Sequence, residues 1–336
     1  MIRIVITDLG YASYDPERAE LAALGEVDLV LARCSTEAEV ADACREADGV
    51  IARAAPVGEK AIEAMRRCRV ISRYGIGVDN VNVPAATRKR IPVCNVRDYC
   101  KEEVSDHVLS LLFGCARRTP SRDRKVRAGA WDIGFREPVH RVSGKILGFI
   151  GYGAIPRTLR RRVVGLGFSE IIIDDPYVTE KAAEAEGVRK VSLEELCAQA
   201  DFISVHVPLT PETRHLIGTT QFALMKPTVI FINTARGPVV DNEALAAALE
   251  EGRIMAAGVD VYEPEPPLPG SRLLALDNVV LSDHMAWYSE ESQLELQRLA
   301  ARNAALVLMG KRPLFCVNPE VLGEPRPAAA PARYWH

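Results

Sequence analysis

The chain has 336 residues, and its 42 Lys and Arg nearly balance its 45 Asp and Glu, which leaves a formal net charge of −3. So small a charge gives no overall field that would favour nucleic acid or an anionic membrane as a partner. No apolar run reaches the ~18 residues of a membrane span. The opening residues, MIRIVITD, read as a first strand rather than a secretory signal. The length allows two domains, each with its own core.

The eight cysteines are scattered and include no C-x-x-C pair. Several lie in apolar segments, where cysteine behaves as a small hydrophobic residue. We therefore expect reduced thiols, a cytoplasmic setting and no metal site. The eight are Cys34, Cys44, Cys68, Cys94, Cys100, Cys115, Cys197 and Cys316.

Strand-like and helix-like stretches alternate through residues 1–96. Ile2–Thr7, for example, reads as a strand, and Glu17–Leu24 reads as the helix that follows it. Thr36 and Glu39 have the spacing of a capping box at the start of the next helix. Alternation of this kind predicts a parallel sheet covered by helices on both faces.

The most specific stretch of the sequence is Lys145–Asp175. An apolar run of strand length, Ile146–Ile150, leads into Gly151, Tyr152 and Gly153, and helix-compatible sequence and a second β-branched run follow. This is the order of a dinucleotide-binding βαβ unit, with an ordinary buried βαβ unit as the alternative. Gly151 would allow the tight turn, and Gly153 would let the backbone approach a pyrophosphate at the helix N-terminus.

Two residues refine this interpretation. Asp175 lies 22 residues after Gly153, near the ~20 expected for the acid that accepts hydrogen bonds from the adenosine ribose. A 2′-phosphate would meet like charge from Asp174 and Asp175, which favours NAD over NADP. Pro156 replaces the third glycine of the motif. Proline fits a first helical turn, but its bulkier ring puts close packing of helix on strand in question.

The segment that follows the first set of strands carries two patterns. Apolar residues recur at helical spacing from Val104 to Cys115, which predicts a buried core face, with domain bridging or dimer packing as alternatives. A basic cluster runs from Arg117 to Arg127. It predicts a solvated helix face rather than an anionic partner, because Asp123 and the acidic overall balance offset the positive charge of the cluster.

After Asp175 the alternation resumes, and a long helix, Glu290–Met309, ends at Gly310. We predict an α/β protein with two doubly wound parallel sheets, in which a Rossmann NAD-binding domain is inserted into a flavodoxin-like substrate domain. The substrate domain would be discontinuous, with residues 1–97 plus 289–323, and the NAD-binding domain would span 98–288. The Pro- and Ala-rich tail, 324–336, is predicted to be disordered.

Three polar side chains follow apolar runs in the second domain. They are Arg236 after TVIFINTA, Glu265 after GVDVYEP and His284 after NVVLSD. Strand ends of a doubly wound sheet share the edge that faces the cofactor, so a cation, an acid and an imidazole there suggest carbonyl reduction. The alternatives are a surface salt-bridge arginine, an exposed loop acid and a structural histidine.

Seven ordered blocks of sequence resemble the D-isomer-specific 2-hydroxyacid dehydrogenase family, in the branch of C-terminal-binding proteins and phosphoglycerate dehydrogenases. The resemblance covers about residues 45 to 318. One departure is Ser282-Asp283-His284, where the family usually reads T-P-H. The blocks are SRYGIGVDNV (72–81), GFIGYGAI (148–155), DDPY (174–177), VHVPLTPETRHLI (205–217), FINTARGPVVD (231–241), AGVDVYEPEPP (257–267) and SDHMAWYSEES (282–292).

The resemblance assigns roles to particular residues of this chain. It implies that Arg236, Glu265 and His284 are catalytic. It implies a substrate-carboxylate loop at Tyr74, Gly75, Ile76 and Gly77, shared with Arg236, and a substrate pocket lined by Trp287. Cofactor contacts are implied at Gly151, Gly153, Ala154, Ile155, Asp175, His206, Val207, Pro208, Thr213, Thr234, Ala235, Arg236, Asp260 and His284, with Asp260 on the nicotinamide amide.

The expected function is NAD-dependent interconversion of a D-2-hydroxy acid and its 2-keto acid. The alternative is an NAD(H)-sensing protein-binding module, because AWYSEES (286–292) also resembles the C-terminal-binding protein co-repressors, which share the fold and the catalytic residues. Expected partners are a small 2-hydroxy or 2-keto acid and a second copy of the chain, through residues 98–145. We expect neither nucleic acid nor membrane as a partner, and no metal.

Overall fold

The computed structural model describes residues 1–131 and 137–323. The predicted disordered tail, 324–336, lies outside the described residues. The chain divides into two compact units. Unit 1 contains Met1–Tyr99 and the chain from Glu290 onward, and unit 2 contains Cys100–Ser289. Within the described residues, no helix has the length and apolarity needed to cross a bilayer.

The secondary structure follows the alternation seen in the sequence. The strands are β1 Ile2–Ile6, β2 Val27–Leu31, β3 Gly49–Ala52, β4 Ile71–Arg73, β5 Val93–Cys94, β6 Ile146–Ile150, β7 Glu170–Asp174, β8 Arg189–Lys190, β9 Phe202–Val205, β10 Ile230–Asn233, β11 Ala256–Val259 and β12 Val279–Leu281. The helices are α1 Asp15–Leu21, α2 Glu37–Ala43, α3 Glu59–Ala64, α4 Val83–Arg88, α5 Lys101–Arg117, α6 Thr119–Arg127, α7 Ala154–Val163, α8 Glu180–Ala185, α9 Leu193–Gln199, α10 Thr219–Leu224, α11 Asn242–Glu250 and α12 Glu290–Leu308.

Unit 1 is built on a five-stranded parallel sheet. Its strand order is β2-β1-β3-β4-β5, the doubly wound order of flavodoxin-like folds. The predicted capping box opens α2, where the Thr36 hydroxyl accepts from the Glu39 N–H and the Glu39 carboxylate accepts from the Thr36 N–H. The apolar strand residues are buried, as expected for a parallel sheet covered on both faces.

The C-terminal part of the chain completes unit 1. From α12, the Ala300 carbonyl accepts from the buried Ser72 hydroxyl on β4 at 2.8 Å. The Gln297 amide donates to both oxygens of the buried Glu17 carboxylate at 3.0 and 3.1 Å. Burial raises the pKa of Glu17, although hydrogen bonds from Tyr74 and Gln297 oppose this. The N-terminal sheet therefore depends on residues more than two hundred positions later in the chain.

Asn318 provides a second clamp on the same sheet. It is 1 % exposed. Its Oδ1 accepts from the Val93 N–H at 2.7 Å, and its Nδ2 donates to the Thr87 hydroxyl at 2.9 Å and the Ile91 carbonyl at 3.0 Å. One amide thus supplies polar partners to an edge strand, and to the residues just before it, where the sheet has no further strand.

Unit 2 is built on a seven-stranded parallel sheet with the order β12-β11-β10-β9-β6-β7-β8. The chain order reverses between β6 and β9, which is the topological switch point where open α/β sheets bind ligands. The predicted fold class, with two doubly wound parallel sheets, is confirmed. The helices of both units cover the sheets, and the strand residues of β9, β10 and β11 are all buried.

Helix α5 buries the predicted apolar stripe. Val104, Val108 and Leu111 are among the buried residues that face the sheet of unit 2. A Cβ at Gly258 of β11 would lie 2.7 Å from the Leu111 Cβ, so glycine lets the helix approach the strand. The basic residues of α6 are largely paired in ion pairs, as in Arg127 with Asp123 at 2.8 Å. A homodimer through residues 98–145 stays a prediction.

We predict that Asn318→Ala lowers the free energy of unfolding of unit 1 by about 3 kcal/mol, because it leaves a buried donor on Val93 and a buried acceptor on Ile91. Thermal unfolding followed by circular dichroism measures the effect. The control Glu320→Ala removes an exposed side chain from the same segment and should leave the melting temperature unchanged. Equal melting temperatures for Asn318→Ala and the unaltered chain would contradict the role of the clamp.

Candidate active site

Strand register brings the candidate residues of unit 2 to one edge. Ile150 pairs with Val205 and with Asp174, Asn233 pairs with Val205 and with Val259, and Val259 pairs with Leu281. The strands are parallel, so the residues that follow them emerge together. Those residues are Gly151, Asp175, His206, Thr234, Asp260 and Ser282.

The glycine turn has the geometry that its sequence predicts. Gly151 has φ +85°, and a Cβ there would lie 3.0 Å from the backbone carbon of His206, so a side chain would collide with β9. Gly153 has open space around the position of a Cβ. The helix α7 begins at Ala154, and the N–H groups of its first turn have no acceptor within the helix. This turn can therefore hold an anionic diphosphate.

Pro156 is buried in the first turn of α7. The position suits proline, because the missing N–H would have no partner within the helix. The turn keeps its shape through Asp175, whose Oδ2 accepts from the Tyr152 N–H at 2.7 Å and whose Oδ1 accepts from the Tyr177 N–H at 2.8 Å. A carboxylate has about four lone-pair sites, so Asp175 can still accept from ribose hydroxyls.

Two buried polar atoms at the same edge have no protein partner. They are Nε2 of His206, at the end of β9, and Oγ1 of Thr234, at the end of β10. Burial lowers the pKa of His206 to about 3, so its imidazole is neutral. Unpartnered polar atoms are costly in an interior unless a ligand or water satisfies them. These two polar atoms fit a dinucleotide ligand, and so do the open glycine turn and the acid after β7.

The other predicted cofactor residues lie in the connections after β9 and β10. Val207 lies next to Gly151, and its Cγ1 is 2.9 Å from the position of a Cβ on that glycine. The Thr213 hydroxyl donates to the Pro208 carbonyl at 2.6 Å, which closes the loop after β9. Ala235 N–H donates to the Asn233 side chain at 3.0 Å. Their cofactor contacts, like those of Ala154 and Ile155, stay predictions.

Arg236 is held by the loop after β10. The Asn233 amide donates to the Arg236 carbonyl at 3.1 Å, and the next residue, Gly237, packs on the backbone of the neighbouring strand connection. A Cβ on Gly237 would overlap the Tyr262 carbonyl oxygen at 1.8 Å, so only glycine allows this approach. The approach brings Arg236 close enough to Glu265 for its charge to lower the pKa of that acid.

Glu265 and His284 form a hydrogen-bonded pair. The Glu265 Oε2 lies 2.7 Å from Nδ1 of His284, and its Oε1 accepts from the Tyr262 N–H at 2.9 Å. Burial of Glu265 opposes ionisation, but the His284 and Tyr262 hydrogen bonds and the Arg236 charge outweigh it, so the pKa of Glu265 is lowered. The charged carboxylate fixes a proton on Nδ1 and leaves Nε2 available for a substrate.

The backbone at His284 is anchored by Asp260. His284 has φ +58°, an uncommon conformation for a side-chain-bearing residue. Its N–H donates to the Asp260 carbonyl at 2.8 Å. The Asp260 carboxylate, which is fully buried, accepts from the Met285 N–H at 3.0 Å and the Ala286 N–H at 3.1 Å. Asp260 therefore determines where the imidazole points.

Two further residues complete this anchor. The Ser282 hydroxyl donates to Asp260 Oδ1 at 2.6 Å, and Nε2 of His107, on α5, lies 2.8 Å from the same hydroxyl. Burial tends to raise the pKa of Asp260, but hydrogen bonds from His107, Ser282 and the Ala286 N–H outweigh it and lower that pKa. The carboxylate is thus held as an anion beneath the loop that carries His284.

A pocket of about 620 Å³ lies beside the imidazole, entirely within unit 2. Its wall is mainly apolar, and the Glu265–His284 pair is among its polar residues, so one side of the pair is open to a small molecule. Within the described residues, no cluster of His, Cys, Asp or Glu could hold a metal ion. The lining residues are Tyr262, Glu265, Pro266, Pro267, Leu274, Leu281, Ser282, Asp283 and His284.

The predicted carboxylate loop belongs to unit 1. Gly75 has φ +134°, and the Asn95 amide donates to the Ile76 carbonyl at 2.7 Å, so the loop is tightly held. The Tyr74 side chain is buried, and its hydroxyl donates to Glu17 at 2.7 Å. In unit 2, Trp287 packs edge-on against Tyr288. The substrate contacts of Tyr74, Gly75, Ile76, Gly77 and Trp287 stay predictions.

The sequence assigned no role to four residues of the site, namely His107, Asn233, Gly237 and Ser282. Gly237 carried a signal, because a glycine directly after a candidate catalytic arginine indicates a close backbone approach. Ser282 was noticed only as a departure from a motif. His107 gave no signal, because a single histidine within an apolar helical pattern is usually structural and this one lies 175 positions from its partner.

Strand order, glycine turn and the acid after β7 define a dinucleotide-binding α/β domain. The chain belongs to the D-isomer specific 2-hydroxyacid dehydrogenase family, because residues 109–286 match the model of that family's NAD binding domain. The matched domain is the NAD-binding one, so the cofactor is NAD(H).

Several proteins are similar along most of the chain. D-3-phosphoglycerate dehydrogenase of Methanocaldococcus jannaschii is 38% identical over 95% of this chain, which spans only 60% of that relative's length. Glyoxylate reductase of Korarchaeum cryptofilum is 39% identical over 80% of this chain and 81% of its own length. The crystal structure of a glyoxylate reductase from Paecilomyes thermophila aligns with a TM-score of 0.83 at 28% identity, covering 95% of this chain and 99% of its own.

We predict that Asp260→Asn lowers the free energy of unfolding by about 2 kcal/mol and removes most NADH-dependent turnover. An amide nitrogen would replace an oxygen that accepts hydrogen bonds, so a donor would face a donor beneath His284. Differential scanning calorimetry and a turnover assay measure the two effects. Asp277→Asn is the control, because that side chain is 99% exposed and exposed pairs contribute little. Full activity in Asp260→Asn would contradict the anchoring role.

Proposed function

We propose that the chain is an NAD-dependent D-2-hydroxyacid dehydrogenase that interconverts a small D-2-hydroxy acid and its 2-keto acid. The observation that carries this proposal is the Glu265–His284 hydrogen bond at 2.7 Å, with Arg236 close to Glu265, at the cofactor edge of the sheet. An acid-assisted imidazole beside a guanidinium is suited to a substrate with a carboxylate next to a carbonyl. The names of the relatives, glyoxylate reductase among them, agree with this substrate class.

In the reducing direction, bound NADH supplies the hydride that reaches the keto carbon. His284 gives the proton that the developing alkoxide needs, from Nε2, while Nδ1 stays on Glu265. The lowered pKa of Glu265 keeps the acid ionised, so its carboxylate holds the ring through Nδ1 while Nε2 faces the substrate. In the oxidising direction the same imidazole, starting neutral, takes the hydroxyl proton.

Arg236 provides orientation and charge. Its planar guanidinium can form two parallel hydrogen bonds to a carboxylate, and a carbonyl next to that carboxylate would then be polarised. The loop that carries it cannot shift far, because Gly237 lies against the Tyr262 backbone and Asn233 holds the Arg236 carbonyl. A fixed donor costs little reorganisation when negative charge develops on the substrate oxygen.

The cofactor preference follows from the end of β7. Asp174 and Asp175 both lie there, and the pKa of Asp174 is raised by burial and then by the charge of Asp175. The charge of Asp175 contributes to this shift, so the two carboxylates already repel each other at this position. A 2′-phosphate would add such charge, so we propose that NADH binds more tightly than NADPH.

We predict that His284→Ala lowers kcat for keto-acid reduction by about 10²–10⁴-fold, because a positioned acid contributes that much, while NADH still binds. The assay follows NADH absorbance with keto acids ordered by side-chain size, from glyoxylate through hydroxypyruvate. A matched control is His215→Ala, since His215 also pairs with a carboxylate, Glu263, at 2.7 Å. Unchanged turnover in His284→Ala would remove the proposed proton transfer.

The same assay separates the enzyme from the alternative, an NAD(H)-sensing protein-binding module. The enzyme consumes NADH with at least one small 2-keto acid. A sensing module would bind NADH and change its oligomeric state, measured by light scattering, without turnover. Absence of turnover across the keto-acid series, and with D-3-phosphoglycerate in the oxidising direction, would contradict the proposed function.

We predict that Asp175→Ala weakens NADH binding about tenfold, because it removes a charged acceptor of the ribose hydroxyls, and weakens NADPH binding less. Quenching of protein fluorescence during titration gives both dissociation constants. Glu180→Ala, which removes an exposed acid at the start of α8, is the control. Equal affinity of the unaltered chain for NADH and NADPH would contradict the assignment.

A further inference from the structure

Cys316 lies beside the edge strand of unit 1. The Val317 N–H donates to the Val93 carbonyl at 2.8 Å, and the Val93 N–H donates to the Asn318 side chain at 2.7 Å. These two bonds hold the segment after α12 alongside β5. Cys94 follows Val93 on one backbone, and Cys316 precedes Val317 on the other. The position of the C-terminal segment is fixed further because Asn318 is also bonded to Thr87 and Ile91.

The same bonds place the two cysteines opposite each other. Val317 pairs with Val93, and Asn318 reaches back to Ile91, so the two backbones run in opposite directions and Cys316 lies across from Cys94. Cys94 is fully buried, whereas Cys316 is partly exposed. One thiol of the pair is thus accessible to a small reagent, and the other is within reach of the first but shielded from solvent. Both are reduced in the structure.

The surroundings make the accessible thiol the more acidic one. The pKa of Cys316 is lowered to about 7, first by the hydrogen bond from Cys94 and then by the Asn318 N–H and the Arg97 charge. Burial and repulsion from Glu320 oppose this shift but are weaker. The pKa of Cys94 is raised, first by the same hydrogen bond and then by burial. The thiolate is the nucleophilic form of cysteine, so nucleophilic character concentrates on Cys316.

We propose that Cys94 and Cys316 are a thiol modification site, at which hydrogen peroxide converts the pair into a reversible intrachain disulfide. Cys316 thiolate attacks one oxygen of the peroxide, so that an S–O bond forms, the O–O bond breaks, and hydroxide leaves as water. The Cys94 sulfur then attacks the sulfenic sulfur of Cys316. The S–S bond forms, the S–O bond breaks, and hydroxide leaves with the Cys94 proton as a second water.

The step balances as a two-electron exchange. The two thiols lose two hydrogen atoms, and one molecule of hydrogen peroxide is reduced to two of water. The loop that the disulfide would close runs from Cys94 in β5 to Cys316 and includes all of unit 2. The cross-link would add a covalent bond between two segments that hydrogen bonds to Val93 already hold side by side.

The experiment treats the folded, fully reduced chain with hydrogen peroxide, blocks remaining thiols in denaturant with iodoacetamide, and digests with trypsin without reduction. Mass spectrometry should find the peptide of residues 91–97 joined to that of residues 312–333, and a thiol reductant should separate them. The joined species should be absent from Cys316→Ser and from Cys94→Ala. It should persist in Cys68→Ser, the matched control, which alters another partly exposed cysteine of unit 1.

Two results would overturn the proposal. One is the oxidation of Cys316 to sulfinic or sulfonic acid with no joined peptide, which would show that Cys94 does not resolve the sulfenic acid. The other is a mixture of disulfides in which Cys94–Cys316 is no more abundant than pairs among Cys34, Cys44 and Cys68. The readout is a mass, so it does not depend on whether the chain turns over a keto acid.

Discussion

The buried carboxylate of Asp260 is the constraint on which the active site depends. It follows β11 and receives the Ser282 hydroxyl and the N–H groups of Met285 and Ala286. A buried anion is costly unless several donors surround it, so the loop after β12 is drawn into one conformation. That conformation gives His284 its positive φ and places its Nδ1 against Glu265. The position of the imidazole is therefore determined by a buried acid on the neighbouring strand connection.

The same logic explains the small residues around the site. Gly151 has no Cβ because the backbone after β9 lies 3.0 Å from where it would be, and Gly237 has none because the Tyr262 carbonyl occupies that space. Each glycine fixes the distance between two strand connections that carry candidate functional residues, His206 opposite Gly151 and Arg236 beside Gly237. Close backbone approach, rather than flexibility, is the reason for glycine at these two positions.

Much of the fold was predictable from the sequence, because apolar runs of strand length alternate with capped helices and parallel strands fix which ends meet. The NAD(H) cofactor was predictable because Gly151, Gly153 and Asp175 lie within one βαβ unit, and the family was predictable from seven ordered blocks of sequence. The Ser282–His107 contact was not predictable, because it joins α5 to the end of β12 across 175 positions. Pro156 raised a question that sequence could not answer, and in the structure its ring is buried in the first turn of α7.

Unit 1 is discontinuous in sequence, because its first segment ends at Tyr99 and its second begins at Glu290. Ser72 and Glu17 acquire their partners only from Ala300 and Gln297 on α12, and β5 acquires its clamp only from Asn318. During synthesis on the ribosome, unit 2 has its whole sequence before unit 1 does. The N-terminal strands of unit 1 therefore lack the partners of their polar groups until nearly the whole chain has been synthesised. A nascent chain would most need a chaperone during this interval.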